Sequence, residues 1–192
     1  MLDRIKELLQ AEADAITGIP LSDSLVHAVD MIVQCRGKIF TTGIGKAGYV
    51  ARKAASTFST TGAPAVFLHP ADASHGDVGA LTENDILFAF SNSGRTREII
   101  ETIEHGKHLG LKSVISITSK ADSPIGQMSC VALEIGEIKE PCPFGFTPTA
   151  STAAMLALSD ALALAALDKR GFKKEDFAAR HHGGYLGQKS RS

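Results

Sequence analysis

The chain has 192 residues, of which 44% are hydrophobic, and its formal net charge is −1. This is enough apolar material for one sizeable core, so the composition indicates a single ordinary globular domain. The near-neutral charge gives no sign of a nucleic-acid partner, and the basic residues near the C-terminus are interpreted as a solvated face. Charges run throughout the N-terminal stretch, which argues against a signal peptide or membrane span and predicts a cytoplasmic protein without a membrane partner.

The first predicted elements are two helices. Apolar residues recur at helical spacing from Leu2 to Ile16 and again from Leu25 to Val33, after a cap signal at Ser22. Short apolar runs rich in β-branched and aromatic residues then alternate with helical stretches. Because these runs are apolar throughout, they predict strands covered on both faces of a parallel sheet: "KIFTTG", "AVFLHP", "DILFAFS", "SVISITS" and "VALEIG".

The last long helix is predicted within "TASTAAMLALSDALALAALDKRG", which is apolar or small almost all round and ends near Gly171. It is expected to be a buried core helix, since Ser159 and Asp160 interrupt any membrane span. The pattern predicts one doubly wound α/β domain over residues 1–192. Its parts are N-terminal helices over 1–36, an α/β core over 37–171 and a C-terminal segment over 172–192.

The glycine turn after the first strand has a G-x-G-x-x-G spacing at Gly43, Gly45 and Gly48. Such a turn suits a dinucleotide pyrophosphate, yet a dinucleotide fold wants an acidic residue at the end of the second strand. That strand ends in His69 and a proline instead. The turn also lacks a P-loop ending, and Lys46 adds a cation suited to a phosphate or a sugar oxygen.

Small polar residues cluster around Gly94 after the third strand, in "SNSGRTREII". One hydroxyl is enough to cap a helix, so the cluster favours an anion cradle made of Ser91, Asn92, Ser93 and Thr96. A similar group opens the last long helix, where either a ligand or the helix cap accounts for it: Thr147, Thr149, Ser151 and Thr152. The cysteines Cys35, Cys130 and Cys142 form no C-x-x-C motif and are predicted to be free thiols.

Several linked motifs resemble the SIS (sugar isomerase) domain, and within it the arabinose-5-phosphate isomerases. They are "TTGIGKAG", "STTGAPAVFLHPADASHGDVG", "SNSGRTRE", "KEPCPFGFTPTAST" and "DFAARHHGGYLG". The resemblance implies a flavodoxin-like three-layer αβα sandwich with a five-stranded parallel sheet. It also implies interconversion of D-arabinose 5-phosphate and D-ribulose 5-phosphate without a required cofactor. The departures from the family pattern are Gly94-Arg95-Thr96, His181-His182-Gly183-Gly184 and the absence of paired CBS modules.

The resemblance implies four catalytic residues: Lys46, Glu98, Glu140 and His181. Glu140 suits a base because Pro141 and Pro143 place it in an extended, rigid loop. Lys46 suits the stabilisation of an enediolate oxygen, and His181 titrates near neutrality, which suits ring opening. Glu98 lies in a helix's first turn, where an acidic residue also complements the helix dipole.

The resemblance further implies a set of substrate contacts: Gly45, Gly62, Ala63, His75, Ser91, Asn92, Ser93 and Thr96. It makes His69 the ligand of an inhibitory zinc ion, although two histidines such as His69 and His75 do not make a metal site alone. A homotetramer with sites at subunit interfaces is expected. The alternatives are an SIS isomerase of hexulose or heptulose phosphates and a non-catalytic sugar-phosphate sensor. The sensor is disfavoured because all four acid–base residues are present and no DNA-binding domain precedes the fold.

Overall fold

The computed structural model describes residues 1–180 and Gly183. Its five strands form one parallel sheet in the order β2-β1-β3-β4-β5, which is the doubly wound order of flavodoxin-like folds. The predicted fold class and all five predicted strands are thereby confirmed. The strands are β1 (Ile39–Gly43), β2 (Ala65–Phe67), β3 (Ile86–Phe90), β4 (Ser113–Thr118) and β5 (Val131–Glu134).

The central strands carry the core of the sheet. Every residue of β1 and β3 is buried, and the two strands pair from Ile39 with Ile86 to Gly43 with Phe90. Strand β2 at the edge departs from the prediction of strands covered on both faces, because Val66 is 43% exposed. The physical reason is its position, since an edge strand has a sheet neighbour on one side only.

Helices cover both faces of the sheet. They are α1 (Leu2–Thr17), α2 (Asp23–Gln34), α3 (Gly45–Thr60), α4 (Pro70–Ala73), α5 (Arg97–His108), α6 (Pro124–Met128), α7 (Ala150–Lys169) and α8 (Lys174–Arg180). One apolar cluster joins α2, α3 and α7 to the sheet, and a second joins α4, α5 and α6 to the other face. The result is the predicted three-layer sandwich.

Helix α7 is the long apolar helix of the sequence. Within the described residues it is the one helix whose length and mean hydropathy, 1.6, match a membrane span. It packs on α1, α2 and α3, and nine of its residues are buried. It is therefore the core helix that the sequence predicts. Helix α1 lies along α7 but buries none of its own residues, so Leu2 and Leu9 remain exposed.

Candidate active site

A cavity of about 260 Å³ opens at the carboxyl ends of β1 and β3. These strands are neighbours in the sheet. The chain runs from β1 outward to β2 and then returns to β3 on the other side of β1, so the direction of winding changes between β1 and β3. Ligands of open parallel sheets bind at such a switch point. Three segments line the cavity, namely residues 44–47 after β1, residues 90–96 after β3, and residues 148–155 at the start of α7.

The glycine turn brings α3 directly onto the end of β1. Gly45 has a φ of 58°, which a side chain would strain. A Cβ on Gly48 would lie 2.7 Å from the carbonyl oxygen of Gly43, so strand and helix approach closely there. Lys46 in the first turn of α3 is the one charged residue among the described residues that line the cavity. The cavity therefore favours an anion.

The hydroxyl-rich turn after β3 forms the opposite wall. Ser91 is 3% exposed, and its hydroxyl lies 2.7 Å from that of Thr96 and accepts the N–H of Gly94 at 3.1 Å. Thr96 is the N-cap residue of α5, yet within the described part of the chain its hydroxyl caps no helix N–H. Within the described residues, helix capping therefore does not account for the Ser91 and Thr96 hydroxyls, and the anion cradle stays a prediction.

The turn after β3 is held by hydrogen bonds from residues at the end of the neighbouring strand β4. The carbonyl of Asn92 accepts the N–H of Ser119 at 2.8 Å and the hydroxyl of Thr118 at 3.2 Å. Gly94 has a φ of 60°, and a Cβ there would fall 2.0 Å from the hydroxyl oxygen of Ser123. The turn therefore requires glycine at this position, and its polar groups are held in place before any ligand arrives.

Glu140 is bound to the start of α7 through backbone hydrogen bonds. One carboxylate oxygen accepts the N–H of Thr149 at 2.9 Å and of Ala150 at 3.0 Å, and the other accepts the N–H of Ser151 at 3.3 Å. The side chain is 8% exposed. A carboxylate at a helix N-terminus satisfies orphan N–H groups and complements the helix dipole. Arg4 also donates to the carbonyl of Pro141 at 2.7 Å, so a second hydrogen bond ties this loop to the rest of the fold.

Cys142 lies in the same loop, two residues after Glu140 in the sequence. Its sulfur accepts the backbone N–H groups of Thr147 and Phe146, each at 3.2 Å. The Thr147 N–H and hydroxyl, followed by the Phe146 N–H, lower the pKa of the thiol to about 7. By contrast, burial raises the pKa of Cys35. All three cysteines are free thiols, which confirms the prediction.

The structure brings only part of the predicted site to this cavity. Lys46 and the four cradle residues line it. Glu98 is exposed in the first turn of α5, just after the cradle, and His75 is exposed between α4 and a 3₁₀ turn at Asp77–Ala80. Gly45 lines a second cavity on the other side of the glycine turn. His181 lies outside the described residues.

Gly62 and Ala63 are placed at the opposite edge of the sheet, before the amino end of β2. The carbonyl of Gly62 accepts a hydrogen bond from Arg170 at 2.5 Å, and a Cβ on Gly62 would meet the ring of Phe172. Gly62 therefore anchors the end of α7 and lies apart from the cavity at the carboxyl edge of the sheet. Ala63 is buried beside it.

His69 lines the second cavity, of about 290 Å³, together with Arg52 and Phe67. Its Nδ1 accepts the N–H of Ala71 at 3.3 Å, so the imidazole caps α4, and Asp72 lies 4.0 Å away. No group of three or more metal-ligating side chains exists among the described residues. His69 and Asp72 fall short of the four ligands of a closed zinc site, so the described residues do not by themselves supply one, and the inhibitory zinc ion stays a prediction.

The first turn of α7 supplies wall residues that the predicted site lacks. Pro148, Ser151, Thr152 and Met155 line the cavity. The signal for them in the sequence is the group of hydroxyls that opens the last helix, which suits capping as well as it suits a ligand.

The fold and the cavity define a doubly wound α/β protein with an anion-favouring site at its switch point. A family model described as the SIS domain matches residues 31–165, and the chain belongs to this family. Among curated proteins, it is similar to "Arabinose 5-phosphate isomerase KdsD" of Pseudomonas aeruginosa, with 42% identity over 180 residues. The match covers 93% of this chain and 55% of that protein. The chain thus spans about half the length of the curated relatives it matches.

Solved structures of similar length also match. A candidate phosphosugar isomerase involved in capsule formation, from Bacteroides fragilis NCTC 9343, is 46% identical with a TM-score of 0.93. The match covers 96% of this chain and 99% of that one. The Escherichia coli CFT073 protein c3406, solved in complex with arabinose 5-phosphate, is 33% identical with a TM-score of 0.89. That match covers 94% of this chain and 96% of the other.

Proposed function

We propose that this protein is an aldose–ketose isomerase that interconverts D-arabinose 5-phosphate and D-ribulose 5-phosphate. The observation that carries the proposal is the cavity at the switch point, where Lys46 faces a turn of four small polar residues. Such a wall suits a phosphate ester, and the cavity is close to the lower end of the about 300–1,000 Å³ of small-molecule pockets. The names of the relatives support the same substrate, since KdsD is an arabinose 5-phosphate isomerase and c3406 was solved with that sugar phosphate.

The phosphate is assigned to the cradle at the start of α5. Ser91 and Thr96 present paired hydroxyls there, and Ser93 adds a third on the same turn. The N-terminus of a helix carries a partial positive charge and favours an anion. Lys46 across the cavity adds a positive charge that favours an anionic substrate.

The chemistry requires a base that removes the proton from C2 of the open-chain aldose and returns it to C1. The proton on the C2 hydroxyl moves to the C1 oxygen through an enediol, so the reaction is balanced without an oxidant or a cofactor. Glu140 is the proposed base. It does not itself line the cavity, but three backbone hydrogen bonds hold its carboxylate at the start of α7, the helix that forms one wall of the cavity. Lys46 stabilises the enediolate oxygen, and Glu98 and His181 complete the acid–base set for ring opening.

The proposed assembly is a homotetramer whose sites lie at subunit interfaces. Its support is α1, which buries no residue in one subunit while Leu2 and Leu9 stand 82% and 64% exposed. Another copy of the chain is the expected cover for this apolar face. The segment with His181 then reaches the cavity of a neighbouring subunit.

Mixing two inactive variants tests the shared site. Subunits with Glu140→Gln combined with subunits with His181→Ala create some sites that hold both native residues, giving about a quarter of full activity under random assembly. If mixed oligomers regain no activity while each variant still assembles, the sites are not shared.

A substrate panel tests the function itself. The purified protein should convert arabinose 5-phosphate to ribulose 5-phosphate without nucleotide, and a chelator should not abolish the activity. Activity confined to hexulose or heptulose phosphates would assign a different SIS isomerase. Binding without turnover would assign a sugar-phosphate sensor. A cytoplasmic location and a role in lipopolysaccharide or capsule synthesis accompany the proposal, in line with the capsule formation named for the B. fragilis relative.

A further inference from the structure

The first turn of α7 is capped from outside the helix. Glu140 accepts the N–H groups of Thr149, Ala150 and Ser151, so the hydroxyls that open the helix are not needed as caps. Two of them nevertheless have protein partners. The Thr152 hydroxyl donates to the carbonyl of Thr149 at 2.9 Å, and the Thr149 hydroxyl lies 3.5 Å from the Glu140 carboxylate.

Ser151 is the exception in this turn. Its side chain is fully buried, at 0% exposure, and its hydroxyl oxygen has no hydrogen-bond partner among the described residues. Buried polar groups in proteins are nearly always paired, and an unpaired one costs free energy. Ser151 also lines the cavity at the switch point, beside the buried side chains of Phe90 and Met155. The hydroxyl is therefore an unpaired polar group in the wall of the cavity.

The two helix N-termini at the cavity differ in whether a carboxylate binds their N–H groups. At α5, the Thr96 hydroxyl pairs with Ser91, and within the described part of the chain it caps no N–H of the helix. At α7, the carboxylate of Glu140 already occupies the N–H groups and opposes the partial positive charge of the helix. A phosphate dianion is therefore attracted to the α5 end and repelled from the α7 end.

We propose that the hydroxyl of Ser151 binds the carbohydrate portion of the substrate, at a hydroxyl or carbonyl oxygen of the sugar, and not its phosphate. The identity of the ligand as a sugar phosphate rests on the proposed function. The position of the contact rests on the burial and unpaired state of Ser151 and on the carboxylate beside it.

The test compares Ser151→Ala with Ser159→Ala. Ser159 is a matched control on the same helix, because it is 1% exposed and its hydroxyl donates to the carbonyl of Leu156 at 2.9 Å. Calorimetry then measures the affinity of each variant for arabinose 5-phosphate and for inorganic phosphate. Urea unfolding gives the stability of each variant.

Ser151→Ala should weaken arabinose 5-phosphate binding by about 3- to 10-fold, the effect of one neutral hydrogen bond. Its affinity for inorganic phosphate should stay within about twofold of the wild type, and its unfolding midpoint should be equal or higher, because no protein hydrogen bond is lost. Ser159→Ala should show the reverse, with lower stability and unchanged affinities. Ser93→Ala should weaken the binding of both ligands.

Two results overturn the proposal. If Ser151→Ala loses stability as Ser159→Ala does and keeps its sugar-phosphate affinity, the hydroxyl has a protein partner. If the affinities for inorganic phosphate and arabinose 5-phosphate fall together, Ser151 is a phosphate ligand. Wild-type protein that binds arabinose 5-phosphate without isomerising it contradicts the proposed function alone, since the binding comparison still decides the role of Ser151. Wild-type protein that binds only inorganic phosphate contradicts both.

Discussion

Replacing Glu140 with glutamine separates its proposed role as a base from its observed role at the start of α7. Glutamine keeps the length of the side chain and one carbonyl oxygen, but its amide nitrogen cannot accept a proton or an N–H. In the native protein, one carboxylate oxygen accepts from Thr149 and Ala150 and the other accepts from Ser151. The variant therefore retains the first two hydrogen bonds and loses the third.

The stability cost follows from these contacts. Two charge-assisted hydrogen bonds become neutral, the Ser151 N–H loses its acceptor, and the favourable charge at the helix N-terminus disappears. Together these losses amount to about 1–3 kcal/mol, because Glu140 is only 8% exposed and solvent screens it little. Independently of this stability cost, loss of an acid–base group should lower kcat by about 10²–10⁴-fold. Arabinose 5-phosphate should still bind.

Steady-state kinetics, calorimetric binding and urea unfolding measure the three quantities on one preparation. Ala166→Gly provides the control for lost stability. Ala166 is 2% exposed on α7, about 24 Å along the helix from its start, and glycine there costs about 1–2 kcal/mol. Its kcat should stay within about twofold of the wild type, since so distant a change moves no catalytic group.

Two outcomes would refute this reasoning. An unchanged unfolding midpoint in Glu140→Gln would show that the carboxylate does not hold the start of α7. A near-normal kcat would remove Glu140 from the mechanism and leave Glu98 as the next candidate for the base.

Three further predictions concern other parts of the cavity and its loops. Lys46→Met should weaken both phosphate binding and turnover, measured by calorimetry and kinetics, and unchanged values for both would remove the cation from the site. Gly45→Ala should cost about 1 kcal/mol in urea unfolding, because φ is 58° there while the space for a Cβ is open. Cys142 should react with iodoacetamide with a midpoint near pH 7, since its lowered pKa leaves half of it as thiolate there. Cys35 should react slowly at that pH, and a Cys142 midpoint near pH 9 would contradict the assigned hydrogen bonds.

The strands could be predicted from the sequence because each is a short, nearly uninterrupted apolar run. All five are present, but β2 is not covered on both faces, because Val66 is exposed although the run "AVFLHP" is as apolar as the others. A strand's position in the sheet depends on long-range pairing, so local composition does not separate an edge from a centre. The short helices α4 and α6 lay outside the prediction. Their local signal was present, since His69 and Ser123 each accept a helix N–H and each precedes a proline at the first turn.

The capping of α7 lay beyond sequence reasoning for a different reason. A capping box is read from residues three positions apart, whereas Glu140 reaches N–H groups 9 to 11 residues further along the chain. The loop between them carries glycine and three prolines, and no periodic pattern shows that it folds back. The unpaired state of the Ser151 hydroxyl could likewise not be predicted from the sequence, because it depends on long-range packing around the start of α7.

On the proposed function, the contrast between the two helix N-termini also predicts the direction in which the substrate binds. The phosphate of a pentose 5-phosphate and its reacting carbons, C1 and C2, lie at opposite ends of the open chain. With the phosphate at the α5 cradle, C1 and C2 extend toward α7, where Glu140 is held. Reversed binding would bring the phosphate dianion against that carboxylate and forfeit the cradle hydroxyls. On the proposed mechanism, the carboxylate that fixes the start of α7 therefore favours the orientation in which it serves as the base, and Lys46, which lines the cavity from the glycine turn, is assigned to the enediolate oxygen.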